Sequence, residues 1–335
     1  KIEKSAKMWL DESSHTTIIH KGRIIMSVAR LSSRNHPLSE LFSLVDQLCS
    51  RFEETRSRQG RPRRFSDAQI VKCLVYQVYY RIRSFRELEW KLKQDLWALR
   101  GMGISEVPDH STFCRRVKAI EEDLYYRVYQ EILTELQPEA RVCFWDSTPL
   151  RSSRYDRDAE KGKGTRLGWF YGYKLHAIVS EDLLPLSWDV TPAGFYDNQA
   201  SQLIRSLSHH DVFLLLADAA YDDHRLFADC KDAGIHLATQ VNMRRSPSPE
   251  SFRSAHRRQN WRFVNRGLGK KLLRKRSRIE SFFSTLKMLY GLEQPRLYGI
   301  YRYYRHVLWV ILVYLLDRLM NKWMDISTRK APWNR

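Results

Sequence analysis

Residues 142–146 read Val-Cys-Phe-Trp-Asp, and residues 212–218 read Val-Phe-Leu-Leu-Leu-Ala-Asp. Both are apolar runs of the kind that forms a buried strand, and each ends at an aspartate, Asp146 or Asp218. A third acidic residue, Glu280, opens a segment with helical spacing that continues Ser-Phe-Phe-Ser-Thr-Leu-Lys. A carboxylate directly after a buried strand lies at the edge of a sheet, where the backbone is rigid. The pattern therefore predicts that these three carboxylates gather at one point.

Three gathered carboxylates indicate a particular chemistry. Carboxylate oxygens are the hard ligands that Mg²⁺ prefers, and two such ions about 4 Å apart are a common device for breaking phosphodiester bonds. Each position also has an ordinary alternative. A strand-end aspartate can be a turn residue, Asp222 or Asp223 competes with Asp218, and a first-turn glutamate is favoured by the helix dipole. We interpret Asp222 as the N-cap of the next helix.

The charge of the chain predicts a polyanionic partner. Its 335 residues include 57 Lys and Arg against 38 Asp and Glu, a formal net charge of +19. Such a field attracts nucleic acid and gives a salt-dependent affinity for its phosphates. A ribosomal or membrane-surface protein could share this charge, but here the excess is mostly Arg, mixed with aromatic residues along most of the chain. The longest apolar run, Val307–Leu316, is too short to span a bilayer, so we expect no membrane association.

The cysteines indicate a reducing compartment. There are five, widely spaced and with no Cys-x-x-Cys pair, which argues against a disulfide framework and against a structural zinc site. The first residues lack the charged-then-apolar pattern of a secretion signal. We therefore expect a cytoplasmic protein.

The composition divides the chain into three parts. Residues 1–37 are polar and weakly patterned, and we expect a flexible arm or a short extended segment. Residues 38–137 show helical spacing that predicts five short helices with Arg-rich faces, a domain for DNA binding or dimerisation. Ser84, with Glu87 three residues later, and Ser111 are candidate N-caps in this domain.

Residues 138–325 have a mixed character. Short β-rich runs alternate with helical segments, which predicts a mixed α/β sheet flanked by helices. The predicted strands are Val142–Trp145, Trp169–Val179, Leu184–Thr191, Val212–Ala217 and Ile235–Thr239. The predicted helices are Asn198–Ser208, His224–Ala233, the segment with Glu280, and a C-terminal packing helix over 298–323.

The segment before Glu280 is strongly basic. Residues 244–279 hold thirteen Lys and Arg against one acid, Glu250. A solvated loop is the ordinary interpretation of such a run. Because Trp261 and Phe263 are interleaved with the charges, we favour a DNA-contacting insert over 244–275, in which aromatic rings stack and cations pair with phosphates.

The ordered motifs resemble those of DDE transposases from bacterial insertion sequences. The resemblance covers roughly residues 60–320. It rests on Trp145-Asp146-Ser147-Thr148, Gly172-Tyr173-Lys174-Leu175-His176, Thr191-Pro192-Ala193 followed by Asp197, Ala217-Asp218-Ala219, Ser111-Thr112-Phe113, and Arg276, Glu280 and Lys287 at the spacing Arg-x3-Glu-x6-Lys. Two positions depart from the family pattern: Leu273 replaces a Tyr, and Tyr196 replaces a common His. The interval between Asp218 and Glu280 is also too short for the large β-rich insertion of some relatives.

The resemblance implies an RNase H-like core in which Asp146, Asp218 and Glu280 are catalytic and hold two Mg²⁺ or Mn²⁺ ions. It implies cleavage of double-stranded DNA at transposon ends, joining of the 3′-OH to target DNA, and a homodimer in the bacterial cytoplasm, associated with the nucleoid. The predicted DNA-contact residues are Lys174, Arg276 and Lys287 near the carboxylates, Arg115, Arg116 and Lys118 in the helical domain, and Arg257, Arg258, Trp261, Arg262, Lys270, Lys271, Arg274 and Lys275 in the insert.

Two other functions stay open at this point. An RNase H-like nuclease or resolvase would cut DNA without strand transfer. A domesticated, non-catalytic DNA-binding protein would keep the fold without the chemistry, although it would have no chemical reason to retain all three carboxylates.

Overall fold

The structure is a computed structural model that describes residues 18–20, 23–25, 37–53, 63–120, 124–164, 168–243, 248–293 and 297–327. Arg244 and Arg245 of the predicted insert lie outside these residues, as does most of the predicted N-terminal arm. Within that arm, two short antiparallel strands are described: β1, Ile18–His20, and β2, Arg23–Ile25.

The described residues between 38 and 137 are largely helical, as predicted. Its helices in the described ranges are α1 (Ser39–Glu53), α2 (Asp67–Tyr79), α3 (Phe85–Leu92), α4 (Leu96–Met102), α5 (His110–Ile120) and α6 (Tyr126–Leu136). The helical spacing of the sequence predicted five of these six; α4, which has only seven residues, was not predicted.

The helix caps separate one correct prediction from one wrong one. Ser84 caps α3, since its Oγ accepts the Glu87 backbone N–H at 3.2 Å. Ser111 does not cap α5, because that helix begins one residue earlier. Asp109 takes this role: one of its carboxylate oxygens accepts the backbone N–H groups of Ser111 at 2.8 Å and of Thr112 at 2.9 Å. A carboxylate offers two acceptor oxygens, so Asp109 can also accept the Thr112 hydroxyl.

A six-stranded mixed sheet forms the centre of the remaining chain. Its strands are β3 (Val142–Arg151), β4 (Glu160–Gly164), β5 (Gly168–Ser180), β6 (Pro185–Pro192), β7 (Leu214–Ala217) and β8 (His236–Thr239). The order is β4-β5-β3-β7-β8, with β6 also paired to β5. β3 runs antiparallel to β5 and parallel to β7, and β8 runs parallel to β7. This confirms the predicted RNase H-like mixed α/β class; β4 was not predicted.

Six further helices surround the sheet in the described part of the chain: α7 (Gln202–Arg205), α8 (His224–Asp232), α9 (Ala255–Val264), α10 (Gly267–Arg274), α11 (Arg278–Leu289) and α12 (Ile300–Trp323). The predicted helix over 198–208 is wrong in its form, because α7 covers only four residues and short 3-10 turns flank it. The basic insert is largely helical and comprises α9 and α10.

The two faces of the sheet bury separate cores. Phe144 and Leu175 pack into a core that continues into the N-terminal helices and α12. Trp145 and Ile178 point the other way, into a core formed with α7 and α8. Neighbouring residues of β3 therefore serve opposite faces, as the alternation of a strand requires. The shared core joins the helical region to one face of the sheet.

α12 contributes more buried residues than any other described helix. It packs against α1, α2 and α6 of the helical region and against β6 and α11 of the sheet region. From Val307 to Asn321 every residue is buried. None of the described helices is both long enough and apolar enough to cross a membrane.

Candidate functional site

Two aspartates lie side by side in the middle of the sheet. β3 and β7 run parallel with Trp145 opposite Ala217, so the next residues, Asp146 and Asp218, come from adjacent strands. Asp218 directly follows the end of β7, as predicted. Asp146 does not end a strand: β3 continues to Arg151 in its pairing with β5, and Asp146 lies opposite Ala177. β3 is therefore paired with β5 both before and after Asp146, and this pairing fixes the backbone of the site.

The environment of Asp146 opposes a free negative charge. Burial, reinforced by the charge of the nearby Asp218, raises the pKa of this carboxyl to about 7. Arg276 acts against that shift, because its guanidinium donates to Asp146 Oδ2 at 2.7 Å. The Ser147 backbone N–H donates to the other oxygen at 2.8 Å. Asp146 is thus a desolvated acid with one compensating cation.

Asp218 has a similar electrostatic environment and a local structural role. Burial raises the pKa of its carboxyl, while the Ala220 N–H lowers it by donating to Oδ1 at 2.8 Å. This bond caps the short 3-10 turn Ala219–Tyr221. The cap fixes the rotamer of Asp218 next to Asp146.

A third aspartate, Asp197, joins the pair. Its Oδ1 accepts the Ser147 hydroxyl at 2.9 Å and the Lys174 ammonium at 3.1 Å. Its charge raises the pKa values of both Asp146 and Asp218. We call Asp146, Asp197 and Asp218 the acidic site. Asp197 belongs to one of the family motifs in the sequence, but no role was predicted for it. Its position in the sequence could have indicated a role, because it follows β6, which pairs with the strand that carries Lys174.

A buried histidine lies beneath this cluster. His176 follows Lys174 by two residues on β5, is fully buried, and exchanges a hydrogen bond of 2.9 Å with the Thr191 hydroxyl. Burial lowers the pKa of its imidazole to about 4. His176 is therefore neutral near pH 7 and packs as part of the core.

Glu280 differs from the residues of the acidic site because it is exposed to solvent. It is an exposed residue in the first turn of α11, a helix that packs against β3. Among the described residues, no group of three or more His, Cys, Asp or Glu is arranged to hold a metal ion. The structure thus brings Asp146 and Asp218 together, and it does not place Glu280 with them in a three-carboxylate group.

The two predicted cations around Glu280 both reach β3. Arg276 binds Asp146, and Lys287 donates to the Pro149 carbonyl at 2.8 Å. Lys287 also lies 3.5 Å from Glu293. These contacts dock α11 along β3 with Glu280 between them. Two desolvated carboxylates compensated by a guanidinium form a donor set that suits a divalent cation, since an ion there would offset the same charge as Arg276 does.

The predicted DNA-contact residues of the insert and of α5 fall into two groups. Six are exposed and bind neither a carboxylate nor a carbonyl group of the described chain: Arg115, Lys118, Arg262, Lys270, Lys271 and Arg274. The other five are paired within the chain or half-buried: Arg116 binds Asp67 and the Phe65 carbonyl, Arg257 binds Asp222, Arg258 binds the Phe252 carbonyl, Lys275 binds Glu181, and Trp261 is half-buried on α9. We call four of the first group, namely Arg262 of α9 and Lys270, Lys271 and Arg274 of α10, the basic surface.

Asp222 connects the acidic site to the insert. Its side chain is only 1% exposed and accepts from the Arg257 guanidinium at 2.8 Å and from the Asn242 backbone N–H at 2.8 Å. The prediction that it caps α8 is wrong, because Asp223 is that N-cap. A buried acid four residues after Asp218 thus anchors α9 by an ion pair.

Comparisons with known proteins agree with this arrangement. The profile of a family described as "Transposase DDE domain" matches residues 137–316, and a second profile, described as a transposase domain, matches residues 26–139. No curated protein matches the chain. Among solved structures, the chain is similar to the piggyBac transposase in a synaptic complex with hairpin DNA, with 10% identity, a TM-score of 0.43, and coverage of 91% of this chain and 80% of that one.

Proposed function

The chain belongs to the transposase DDE domain family, and we propose on that basis that it is a DNA transposase acting on the terminal inverted repeats of a mobile element. In this proposal it cleaves DNA at the repeats and joins the freed 3′-OH ends to target DNA. The observation that supports it best is the register of β3 and β7, which sets the desolvated carboxylates of Asp146 and Asp218 side by side.

We propose that Asp146, Asp218 and Glu280 hold two Mg²⁺ or Mn²⁺ ions. When bound, such ions activate the attacking hydroxyl and stabilise the leaving oxygen. In each step an oxygen attacks the phosphorus and the bond to the 3′ oxygen breaks; water attacks first, and the freed 3′-OH attacks target DNA second. Asp197 fixes the Ser147 hydroxyl and the Lys174 ammonium beside this position.

Arg276 has a second role in this proposal. Its guanidinium balances Asp146 in the absence of other cations, and it is also suited to pair with a DNA phosphate, because a guanidinium recognises both groups in the same bidentate geometry. Lys287 and Lys174 supply further positive charge on either side of the acidic site.

The rest of the DNA contact is assigned to exposed cations. The basic surface, with Arg115 and Lys118 of α5, would neutralise backbone phosphates outside the site. We further propose that residues 38–137 bind DNA or form the interface of a homodimer that holds two element ends together, and that the protein acts in the cytoplasm on nucleoid DNA.

The decisive experiment incubates the protein with a labelled duplex of the inverted repeat that flanks its gene, in Mg²⁺ or Mn²⁺, with a target plasmid present. We expect nicked and target-joined products that Asp146→Asn reduces by about 10³-fold or more, because members of a catalytic group act as a unit. Asp223→Asn is the matched control, since asparagine also caps a helix well and should leave α8 and the activity intact.

Each outcome separates the candidate functions. Metal-dependent joining that Asp146→Asn abolishes supports a transposase. Cleavage without joining identifies a nuclease or resolvase. Binding of the repeat without cleavage by the wild-type protein identifies a DNA-binding protein that has kept only the fold.

A further inference from the structure

A cavity of about 590 Å³ lies between the helical region and the C-terminal part of the chain. One wall consists of α2, the loop from α2 to α3, and α5. The other consists of the end of α11 and the first half of α12. A volume of this size suits a nucleotide-sized ligand, since small-molecule sites commonly measure about 300–1,000 Å³.

The charge of the cavity wall is strongly positive. Its cationic residues come from both walls, and Glu293 is the one carboxylate among the described lining residues; the cations are Arg81, Arg83, Lys287, Arg302 and Arg305. Glu293 is already neutralised by Arg151 at 2.6 Å and by Lys287 at 3.5 Å. The cavity therefore favours an anionic ligand.

Several of these donors are available to a ligand. Arg83 and Arg302 are exposed, and neither forms an ion pair with any residue that the structure describes. Trp309 lines the same cavity and is only 4% exposed, yet its indole N–H has no hydrogen-bond acceptor in the described structure. Arg81, by contrast, is fixed in place because it donates to the Met288 carbonyl at the end of α11, at 3.2 Å.

The position of the cavity identifies which anion fits. Lys287 reaches the cavity from the same helix that carries Glu280, and seven residues of helix separate the two by about 10 Å. At 3.4 Å per nucleotide along a duplex, that is about three nucleotides. We infer that this cavity binds the backbone phosphates of DNA about three nucleotides from the cleaved bond, with Arg83 and Arg302 as the contacting residues. The inference rests on the proposed function for the identity of the DNA.

This binding site would couple the two parts of the molecule. Arg83 belongs to the helical region, whereas Lys287 and Arg302 belong to the sheet region, so one phosphate segment contacts both. A free nucleotide offers the same phosphate chemistry, and the experiment must distinguish the two sources.

The test measures the affinity for the inverted-repeat duplex in EDTA, so that no cleavage takes place, over a range of salt concentrations. We expect Arg83→Gln/Arg302→Gln to make the slope of log K against log salt shallower by about 2, because each lost phosphate contact removes about 0.9. Arg205→Gln/Arg225→Gln removes two exposed cations that do not line the cavity, and its slope should remain that of the wild type.

A second measurement localises the contact. Duplexes with a single neutral methylphosphonate are scanned near the cut. We expect a methylphosphonate about three nucleotides from the cleaved bond to weaken binding by the wild-type protein. The same modified duplex should show no further loss of affinity for Arg83→Gln/Arg302→Gln. Trp309→Phe keeps the ring and removes the N–H donor, so it should weaken binding at that position less than the double variant does.

The inference is overturned if the cavity and control variants change the slope equally, or if every methylphosphonate effect is unchanged in the cavity variant. It is also overturned if deoxyadenosine monophosphate binds the wild type but not the cavity variant while duplex affinity is the same in both. A shallower slope without any cleavage in Mg²⁺ would support the cavity and reject the proposed function, so the two failures are distinguishable.

Discussion

The acidic site and the basic surface hold their charges in opposite ways. Asp146 and Asp218 are desolvated, fixed by strand register and by a cap, and balanced from within the chain by Arg276. Lys270 and Lys271 of the basic surface are exposed on α10, and none of the described acids pairs with them. The carboxylates of the acidic site have a fixed geometry, whereas the cations of the basic surface are exposed to solvent.

This difference predicts two kinds of mutational effect. A group in fixed geometry acts as part of a unit, so its loss should abolish chemistry or destabilise the fold. A solvated cation contributes one phosphate contact among several, so its loss should be graded and dependent on salt. The following predictions test where that division holds.

Glu280 is the strongest test of this difference between fixed and solvated charges, because it is exposed and yet proposed to be catalytic. We expect Glu280→Gln to lower cleavage and joining by about 10²-fold or more, since metal ions contribute several kcal/mol to such reactions. The melting temperature should not change. Glu250→Gln, another exposed acid, is the control for both assays. Full activity of Glu280→Gln would remove it from the proposed ligands.

Asp222 tests whether the insert depends on its buried ion pair. We expect Asp222→Ala to lower the free energy of unfolding by about 3–5 kcal/mol, because it leaves the Arg257 guanidinium without its carboxylate in a largely buried position. Chemical denaturation measures this change. Asp211→Ala removes an exposed carboxylate and should have almost no effect. Equal stabilities of the two variants would contradict the assignment of Asp222 as an anchor.

His176 makes the free energy of unfolding depend on pH. Burial lowers the pKa of its imidazole from 6.5 to about 4. Between those values the unfolded chain binds a proton that the folded protein does not, so the free energy of unfolding falls as the pH falls from about 6.5 to 4. The loss approaches about 3.4 kcal/mol, at about 1.36 kcal/mol per pH unit.

Denaturation curves at several pH values measure this slope. His176→Asn should reduce it, whereas His224→Asn, which removes a histidine with a side chain 74% exposed, should leave it unchanged. A slope that persists in His176→Asn would assign the pH dependence to other groups.

We expect substitutions in the basic surface to have the smallest effects of those compared here. Lys270→Gln/Lys271→Gln should weaken binding of a random-sequence duplex and make its salt slope shallower by about 2, without changing the melting temperature. Lys231→Gln, on α8, is the control for a single exposed lysine outside the basic surface. A change in melting temperature would show that α10 is part of the packed core rather than a solvated face.

Local sequence patterns predicted the parts of the fold that bury apolar side chains. The runs before Asp146 and Asp218 predicted β3 and β7 because both strands are buried on two faces. β4 was missed because Glu-Lys-Gly-Lys-Gly has no apolar alternation, and it forms only as an edge partner of β5. The role of Asp197 was missed because its partners, Ser147 and Lys174, lie on two other strands and meet it only in the folded sheet.

α12 also has a consequence for how the chain reaches this fold. The six described helices of the N-terminal region leave the ribosome before the sheet region, but the core that they share is completed by a helix made long after them. Until α12 emerges, their apolar faces have no permanent cover, and the nascent chain depends on contacts that are remote in sequence. A transcript truncated before residue 300 would therefore yield an aggregation-prone fragment rather than a free helical domain that could compete with the intact protein.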